Sequence, residues 1–244
     1  MEVPLIVEGL SKSYKGVTAV HDLDIRVEKG GVFSLLGHNG AGKTTTIECI
    51  LDVRKPDTGK IRLLGMDPAE ERKQVFERVG VQFQQTGYHS KIRVSEICEV
   101  TAALYEKPAD WRDLLKLFGL AGMEKRIVAE LSGGERQKLS VLLALIPDPD
   151  FVFLDELTTG LDSKARRDVW KILTELKRRG LTIFLTSHYM DEVQALCDRI
   201  CILKQGEITA LDTVQSIIDQ SPCSTLEEAY LWHTGEELEE VESL

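Results

Sequence analysis

The chain of 244 residues is poor in several things, and each scarcity removes a class of function. Its cysteines number five (Cys49, Cys98, Cys197, Cys201, Cys223), an odd count without a C-x-x-C pair. That argues for reduced thiols in a cytosolic setting and against a disulfide framework. Cys197 and Cys201 are four apart, a spacing that on a helix would face both the same way. They are read as small buried hydrophobes rather than as a metal pair. No apolar stretch approaches the roughly twenty residues needed to span a bilayer. The opening MEVPLIVEGL has neither the basic region nor the apolar run of a secretory signal. Work at a membrane would therefore need another chain to do the crossing. Positive charge is also short: 30 Lys and Arg against 40 Asp and Glu leave a net charge of −10. A protein that coats nucleic acid normally shows a basic face, so no nucleic-acid partner is expected. No internal repeat or low-complexity segment is present.

What remains is an ordinary globular composition, 43% hydrophobic and 29% charged, in a length that suits one large or two small domains. The first quarter reads as strands: residues 5–7, then 20–27 with Leu23, Ile25 and Val27 at a period of two, then the apolar run 32–36. A helix follows, TTTIECILDV, then a turn at 56–59 and a strand at 61–64. From 95 to 146 the texture becomes helical, with Ile97, Val100 and Leu104 at helical spacing, and Pro147 and Pro149 stop the last helix. Apolar strands at 151–154 and 181–186 bracket a helix at 164–179, an order that implies parallel pairing with helices covering the sheet. Segments 200–203 and 207–209 flank the turn Lys204-Gln205-Gly206. The fold class is thus α/β, a sheet core with an inserted helical part. One domain is expected over 1–220, with 1–90 and 147–220 as core and 91–146 as the helical insertion. Residues 221–244 form an acidic helix or tail.

Two segments carry chemistry. Gly37-His38-Asn39-Gly40-Ala41-Gly42-Lys43-Thr44 fits G-x-x-x-x-G-K-[ST] between a strand and a helix, as a phosphate-binding loop requires. Its glycines let the backbone wrap phosphates so that successive N–H groups point inward. Lys43 is placed to reach the β- and γ-phosphates, and the Thr44 hydroxyl to ligate Mg²⁺, with Thr45 beside it. The second segment, Phe151-Val152-Phe153-Leu154-Asp155-Glu156, is an apolar strand that ends in two acids. Ligands bind at the carboxyl ends of parallel strands, so Asp155 is expected to serve Mg²⁺ and Glu156 to act as general base or water-positioning group. ATP and Mg²⁺ are the expected substrate and cofactor. A third stretch, LSGGERQ (Leu131 to Gln137), reads as another helix start suited to an anion. One chain with two phosphate readers needs a reason.

With LSGGERQ beside these two motifs, the chain resembles the ATP-binding-cassette (ABC) ATPases over nearly its whole length. The resemblance implies a RecA-like P-loop core with an N-terminal antiparallel β subdomain. It also implies head-to-tail pairs in which Ser132, Gly133 and Gly134 of one cassette meet the γ-phosphate held by the other. Several roles are likewise implied only by the resemblance. Tyr14 would stack on adenine. Gln84 would approach Mg²⁺ and the attacking water. Asp162 would span the two sites, and His188 would contact the γ-phosphate. Leu157 stands where the family usually has proline, which would loosen the turn toward Asp162. The segments VGVQFQQTGYHSKIRVSE and TLEEAYLWHTG are similar to exporter cassettes of the daunorubicin-resistance group. The expectation is an ATP-hydrolysing transporter subunit at the cytoplasmic face of the membrane. It would be held there by a polytopic permease subunit and paired with a second cassette, in a homo- or heterodimer. The alternative is a soluble ATPase of the iron–sulfur assembly type. A chromosome or repair ATPase would need a long heptad insertion, a translation-type protein two cassettes, and a GTPase an N-K-x-D motif. None of these is in the sequence.

Overall fold

The computed structural model describes residues 3–83, 87–158 and 160–236. Strands β1 (Leu5–Tyr14) and β2 (Val17–Val27) form a hairpin whose turn residues, Lys15 and Gly16, both have positive φ, at 49° and 85°. Such two-residue turns match the right-handed twist of paired strands. Both strands run well past the apolar triplets that mark them in the sequence, because pairing carries the extended backbone through polar positions. Strand β3 (Val32–Leu36) leads through the glycine-rich loop into α1 (Lys43–Ile50). Strand β4 (Thr58–Leu63) then closes a small antiparallel sheet of order β2-β1-β4.

The main sheet adds β5 (Val79–Gln82), β6 (Phe151–Asp155), β7 (Thr182–Ser187), β8 (Arg199–Lys204) and β9 (Glu207–Thr213), in the order β5-β6-β7-β3-β8-β9. The first five of these neighbours are parallel, and the hairpin to β9 adds an antiparallel edge. Strand β6 shows why such a sheet forms. Its phenylalanines, Phe151 and Phe153, join one apolar cluster, while Val152 and Leu154 join another. Successive side chains of a strand point to opposite faces. A strand apolar on both sides must therefore be covered on both.

One cover is the β1–β2–β4 sheet with α1, where Leu5, Val7, Ile25 and Ile47 meet Phe33, Phe153 and Phe184. The other is helical: α3 (Val94–Ala102), α4 (Trp111–Leu117) and α5 (Gly133–Leu145) share a cluster with Val152, Leu154, Ile183 and Leu185. Helices α6 (Ser163–Arg178) and α7 (Met190–Leu196) form the crossovers after β6 and β7. Two C-terminal helices, α8 (Val214–Asp219) and α9 (Leu226–Thr234), pack on Leu36, Ile200 and Ile202. The acidic end, 237–244, lies outside the described residues. Among the described residues no helix is long and apolar enough to cross a membrane.

Four elements are absent from the sequence expectations: the five-residue α2 (Arg72–Phe76), the four-residue β5, and the short helices α7 and α8. The cysteine pair also resolves differently from the helical spacing considered above. Cys197 caps the end of α7, whereas Cys201 lies inside β8. Burial pushes the thiol of Cys98 up to about 12 and that of Cys49 up to about 11, so both stay protonated.

Strand β5 can sit where it does only because of Gly80. A Cβ built there would fall 1.8 Å from the carbonyl oxygen of Ala144, near the end of α5. Helix and strand therefore meet backbone to backbone. Gly80→Ala is expected to destabilise the protein by about 2 kcal/mol or more, since a packed core must shift to admit one methyl. Gly87→Ala, which meets open space, should change stability by less than about 0.5 kcal/mol. Urea midpoints of the two variants check this pair.

Candidate nucleotide site

The register of the main sheet assembles the site. Leu36 pairs with Ser187, Thr186 with Asp155, and Leu154 with Gln82. The carboxyl ends of β3, β7, β6 and β5 therefore lie side by side. Along that edge come the phosphate loop, His188, the acids Asp155 and Glu156, and Gln82.

A cleft of about 440 Å³ opens over the loop, lined by Tyr14, Ala19, Asn39, Gly40, Gly42, Lys43, Thr44, Thr45 and Glu156. These residues come from β1, β2, the loop, α1 and the end of β6, segments far apart in the chain. Gly42 begins α1 with φ +108°, and a Cβ there would stand 2.5 Å from the Ala19 carbonyl oxygen. Only glycine fits that approach. The turn between β8 and β9 braces the loop from below, where Gly206 N donates to Ala41 O at 3.0 Å. Gly37, at the start of the loop, is buried.

Lys43 is only 7% exposed and donates from Nζ to the carbonyl oxygens of Gly37 (2.6 Å) and His38 (3.1 Å). Burial lowers its pKa, and the carboxylates of Glu156 and Asp155 oppose that shift. The ammonium and the two acids thus feel one another across one end of the cleft. Asp155 is 4% exposed, and its Oδ1 accepts from Thr186 Oγ1 at 2.5 Å. Glu156 follows with φ 50°, and its N–H donates to the same Thr186 oxygen at 2.9 Å. Thr44 is exposed at the start of α1. A hydroxyl and a carboxylate are hard oxygen donors of the kind Mg²⁺ takes.

At the other end of the cleft Tyr14 closes β1. Its ring has Lys12 Nζ and Arg54 Cζ each 5.6 Å from the centroid, and its hydroxyl is buried without a hydrogen-bond partner among the described residues.

The other expected residues lie apart from the cleft. Ser132 caps α5: its hydroxyl accepts from Glu135 N (3.2 Å), and Glu135 Oε2 accepts from Ser132 N (2.8 Å). Arg126 locks this box from outside, donating to Glu135 Oε1 (3.2 Å) and to Glu130 O (2.7 Å). Gly133 and Gly134 form the first turn, and none of residues 132–134 lines the cleft of its own chain. Asp162 caps α6, accepting from Ala165 N (2.8 Å) and Lys164 N (2.9 Å), bonds that hold its carboxyl below the usual range. His188 is exposed one residue past β7, its ring 4.2 Å from that of Tyr189. Gln84 lies outside the described residues. Its neighbour Gln82 ends β5 and donates from Nε2 to Asp155 O at 3.2 Å.

Leu157 does not leave its turn loose. The side chain is fully buried, and its carbonyl accepts from Gln137 Nε2 at 2.6 Å. Hydrophobic burial and one hydrogen bond from α5 hold the turn without a proline ring. The sequence reading assigned nothing to Gln137, Thr186 or Glu192. Glu192 is fully buried on α7 and accepts from Trp170 Nε1 at 3.1 Å. Burial raises its pKa, while Ser187, Trp170, Thr158 and Arg166 favour the charged form. Neither Thr158 Oγ1 nor Glu192 Oε2 has a hydrogen-bond partner among the described residues. A polar residue inside an apolar strand or helix gives no spacing signal, so these three were not to be found by pattern.

A glycine-rich loop between strand and helix, with paired acids on a nearby parallel strand, defines a P-loop nucleotide-hydrolysing protein. Residues 20–159 match the ABC transporter family, and the chain belongs to it. It is an ATP-binding and ATP-hydrolysing cassette. The ABC transporter ATP-binding protein NatA of Bacillus subtilis (strain 168) is 37% identical over 211 residues, 84% of this chain and 86% of that protein. A Nod factor export ATP-binding protein I of Rhizobium johnstonii is 36% identical over 92% of this chain and 74% of its own length. The daunorubicin/doxorubicin resistance ATP-binding protein DrrA of Streptomyces peucetius is 36% identical over 84% of this chain, which spans 64% of that longer protein. A solved ATP-binding subunit of an ABC transporter superposes with a TM-score of 0.87 at 26% identity, over 94% of this chain and 99% of that one. These relatives are transporter subunits and do not favour a soluble assembly ATPase.

The cleft makes a specific demand of Tyr14. Its hydroxyl is buried, so a stacking role would fall to the ring. Tyr14→Phe should leave ATP affinity unchanged, whereas Tyr14→Ala should weaken it by about 1 kcal/mol. Calorimetric titration of both variants with ATP measures the difference.

Proposed function

We propose that this cassette is the ATPase subunit of an exporter, one of two copies that close on ATP beneath a polytopic permease at the cytoplasmic face of a membrane. Its relatives support export: two of those above are an export protein and a drug-resistance protein. The observation that carries the paired arrangement is the separation of the two phosphate readers. The cleft holds the P-loop and Glu156, while Ser132, Gly133 and Gly134 form a pre-built helix start elsewhere on the same chain. A second cassette, in a homo- or heterodimer, would bring its own copy of that start to the γ-phosphate. Residues 91–146 would act as the unit that carries LSGGERQ.

Roles follow from position and chemistry. Tyr14 stacks on adenine. The backbone from Gly37 through Gly42 and the first turn of α1, with Asn39, Ala41 and Thr45, cradles the phosphates. Lys43 swings from the loop carbonyls to the β- and γ-oxygens, exchanging two neutral acceptors for charged ones. Thr44 and Asp155, with Gln84, would hold Mg²⁺, which when bound neutralises charge on the phosphates. Glu156 orients the attacking water and takes its proton. His188 contacts the γ-phosphate, and Asp162 reaches toward the partner's site.

The permease would grip the groove between core and helical insertion near residues 84–95, of which 84–86 lie outside the described residues.

Two outcomes test this reading. Glu156→Gln keeps the shape but removes the base, so turnover should fall by about 10² or more while ATP still binds. The variant should accumulate as an ATP-bound dimer in size-exclusion runs. Turnover within a few-fold of wild type would remove Glu156 from its role.

Mixing variants tests the signature loop. Lys43→Ala disables the P-loop. Gly134→Asp sets a carboxylate toward the partner's γ-phosphate, a repulsion above the ~1 kcal/mol of bulk water. A Cβ at Gly134 meets Leu161 at 3.6 Å, ordinary contact, so the second variant should fold. Heterodimers of the two contain one intact site. ATP-dependent dimerisation should therefore recover in the mixture, above either variant alone. Chains that exchange subunits and recover nothing would show that LSGGERQ does not act across an interface.

A further inference from the structure

We propose that Thr186 is the positioning residue of the hydrolytic centre, its single hydroxyl orienting both acids that end β6. This rests on the reading of Asp155 and Glu156 as the groups at the phosphate end of the cleft.

The geometry is specific. Thr186 is fully buried and pairs with Asp155 across the parallel ladder, so the two side chains emerge side by side. Its Oγ1 lies 2.5 Å from Asp155 Oδ1 and 2.9 Å from Glu156 N. A hydroxyl has one proton and two lone pairs. The amide of Glu156 can only donate, so Oγ1 accepts there, and its own proton goes to Asp155. The short O···O distance is that of a charge-assisted bond to a carboxylate. Only one arrangement of protons satisfies all three groups.

Two consequences follow for the chemistry. The bond fixes which oxygen of Asp155 faces the strand neighbour and so which way the carboxylate plane turns toward the phosphate end. The other bond holds the backbone of Glu156 at φ 50°, an uncommon conformation for a residue with a side chain. That conformation aims the Glu156 side chain into the cleft, where it forms part of the lining. Thr is suited to the task because a β-branched side chain is stiff at χ1, so its hydroxyl direction is set by the strand itself. Serine could make the same bonds from a freer rotor. Valine, of the same shape, could make neither.

Steady-state ATP hydrolysis, ATP binding without metal (in EDTA) and thermal unfolding of the full chain test this. Thr186→Val should lower kcat roughly 10-fold or more, because misplacement by about an ångström carries that order of loss. Its metal-free ATP affinity, set by the loop and Tyr14, should stay within about twofold of wild type. Thr186→Ser should return kcat to within about threefold. The Ser–Ala pair at the same position repeats the contrast at nearly constant size, and serves if Thr186→Val does not fold. A Thr186→Val protein with near-wild-type kcat overturns the inference. So does a Thr186→Ser protein as impaired as Thr186→Val, since shape and not the hydroxyl would then matter. A parallel loss of metal-free affinity and melting temperature, matching the loss of kcat, would mark a role in folding only and also overturn it. A wild-type chain that does not hydrolyse ATP counts instead against the hydrolytic reading on which this one rests.

Discussion

A buried ammonium is the constraint around which this protein is arranged. Taking a lysine out of water costs several kcal/mol unless other groups compensate. Lys43 gives up solvent inside a loop that offers carbonyl oxygens at one side and carboxylates at the other. The carbonyls can be there only if the chain turns back tightly, which fixes glycine at position 42. The carboxylates can be there only if β6 lies one strand away from β3, with β7 between them. Sheet order, loop composition and the acid pair are thus not three separate traits. They are the conditions under which one positive charge can sit, partly dehydrated, beside two carboxylates.

The same edge explains the division of labour among the connecting helices. Helix α5 starts at a capping box secured by Arg126 and touches the turn after β6 through Gln137. Helix α6 starts at Asp162, whose carboxylate is engaged by its own backbone. Helix α7 returns a buried acid, Glu192, to the junction of α6 and β7. Each crossover therefore does more than join strands. It fastens the loop that precedes it, so that groups contributed by distant parts of the sequence hold fixed relative positions while the cleft stays open to solvent.

Much of this could be read from the residues themselves. The P-loop, the acid-tipped strand and the capping start at Ser132 are local patterns in which residue type and backbone geometry imply one another. Strands apolar on both faces, such as Phe151 to Leu154, announce a covered parallel sheet without any contact being known. What escaped were features decided by tertiary context. Strand β5 is too short and too glycine-tolerant to show a period, and it exists because α5 lies against Gly80. The paired hairpin outgrew its apolar core because hydrogen bonding extends where hydrophobicity stops. Thr186 looks like any threonine in a strand until its neighbour across the ladder is known. The spacing of Cys197 and Cys201 suggested a common helical face that the chain breaks by ending α7 between them.

The backbone contact at Gly80 has a mechanical meaning. Helix α5 is pinned at its carboxyl end, where no side chain cushions it from β5, and bears the signature residues at the opposite end. Thirteen residues at about 1.5 Å rise make a rigid arm of roughly 20 Å. A tilt of about ten degrees at the pin would sweep the glycines through about 3 Å, a distance comparable to a hydrogen bond. Through Gln137 that sweep is geared to the turn behind Glu156. Whatever force moves the arm from outside is therefore felt at two places at once: at the glycines of the tip, and at the turn behind the chain's own acids through the linkage partway along.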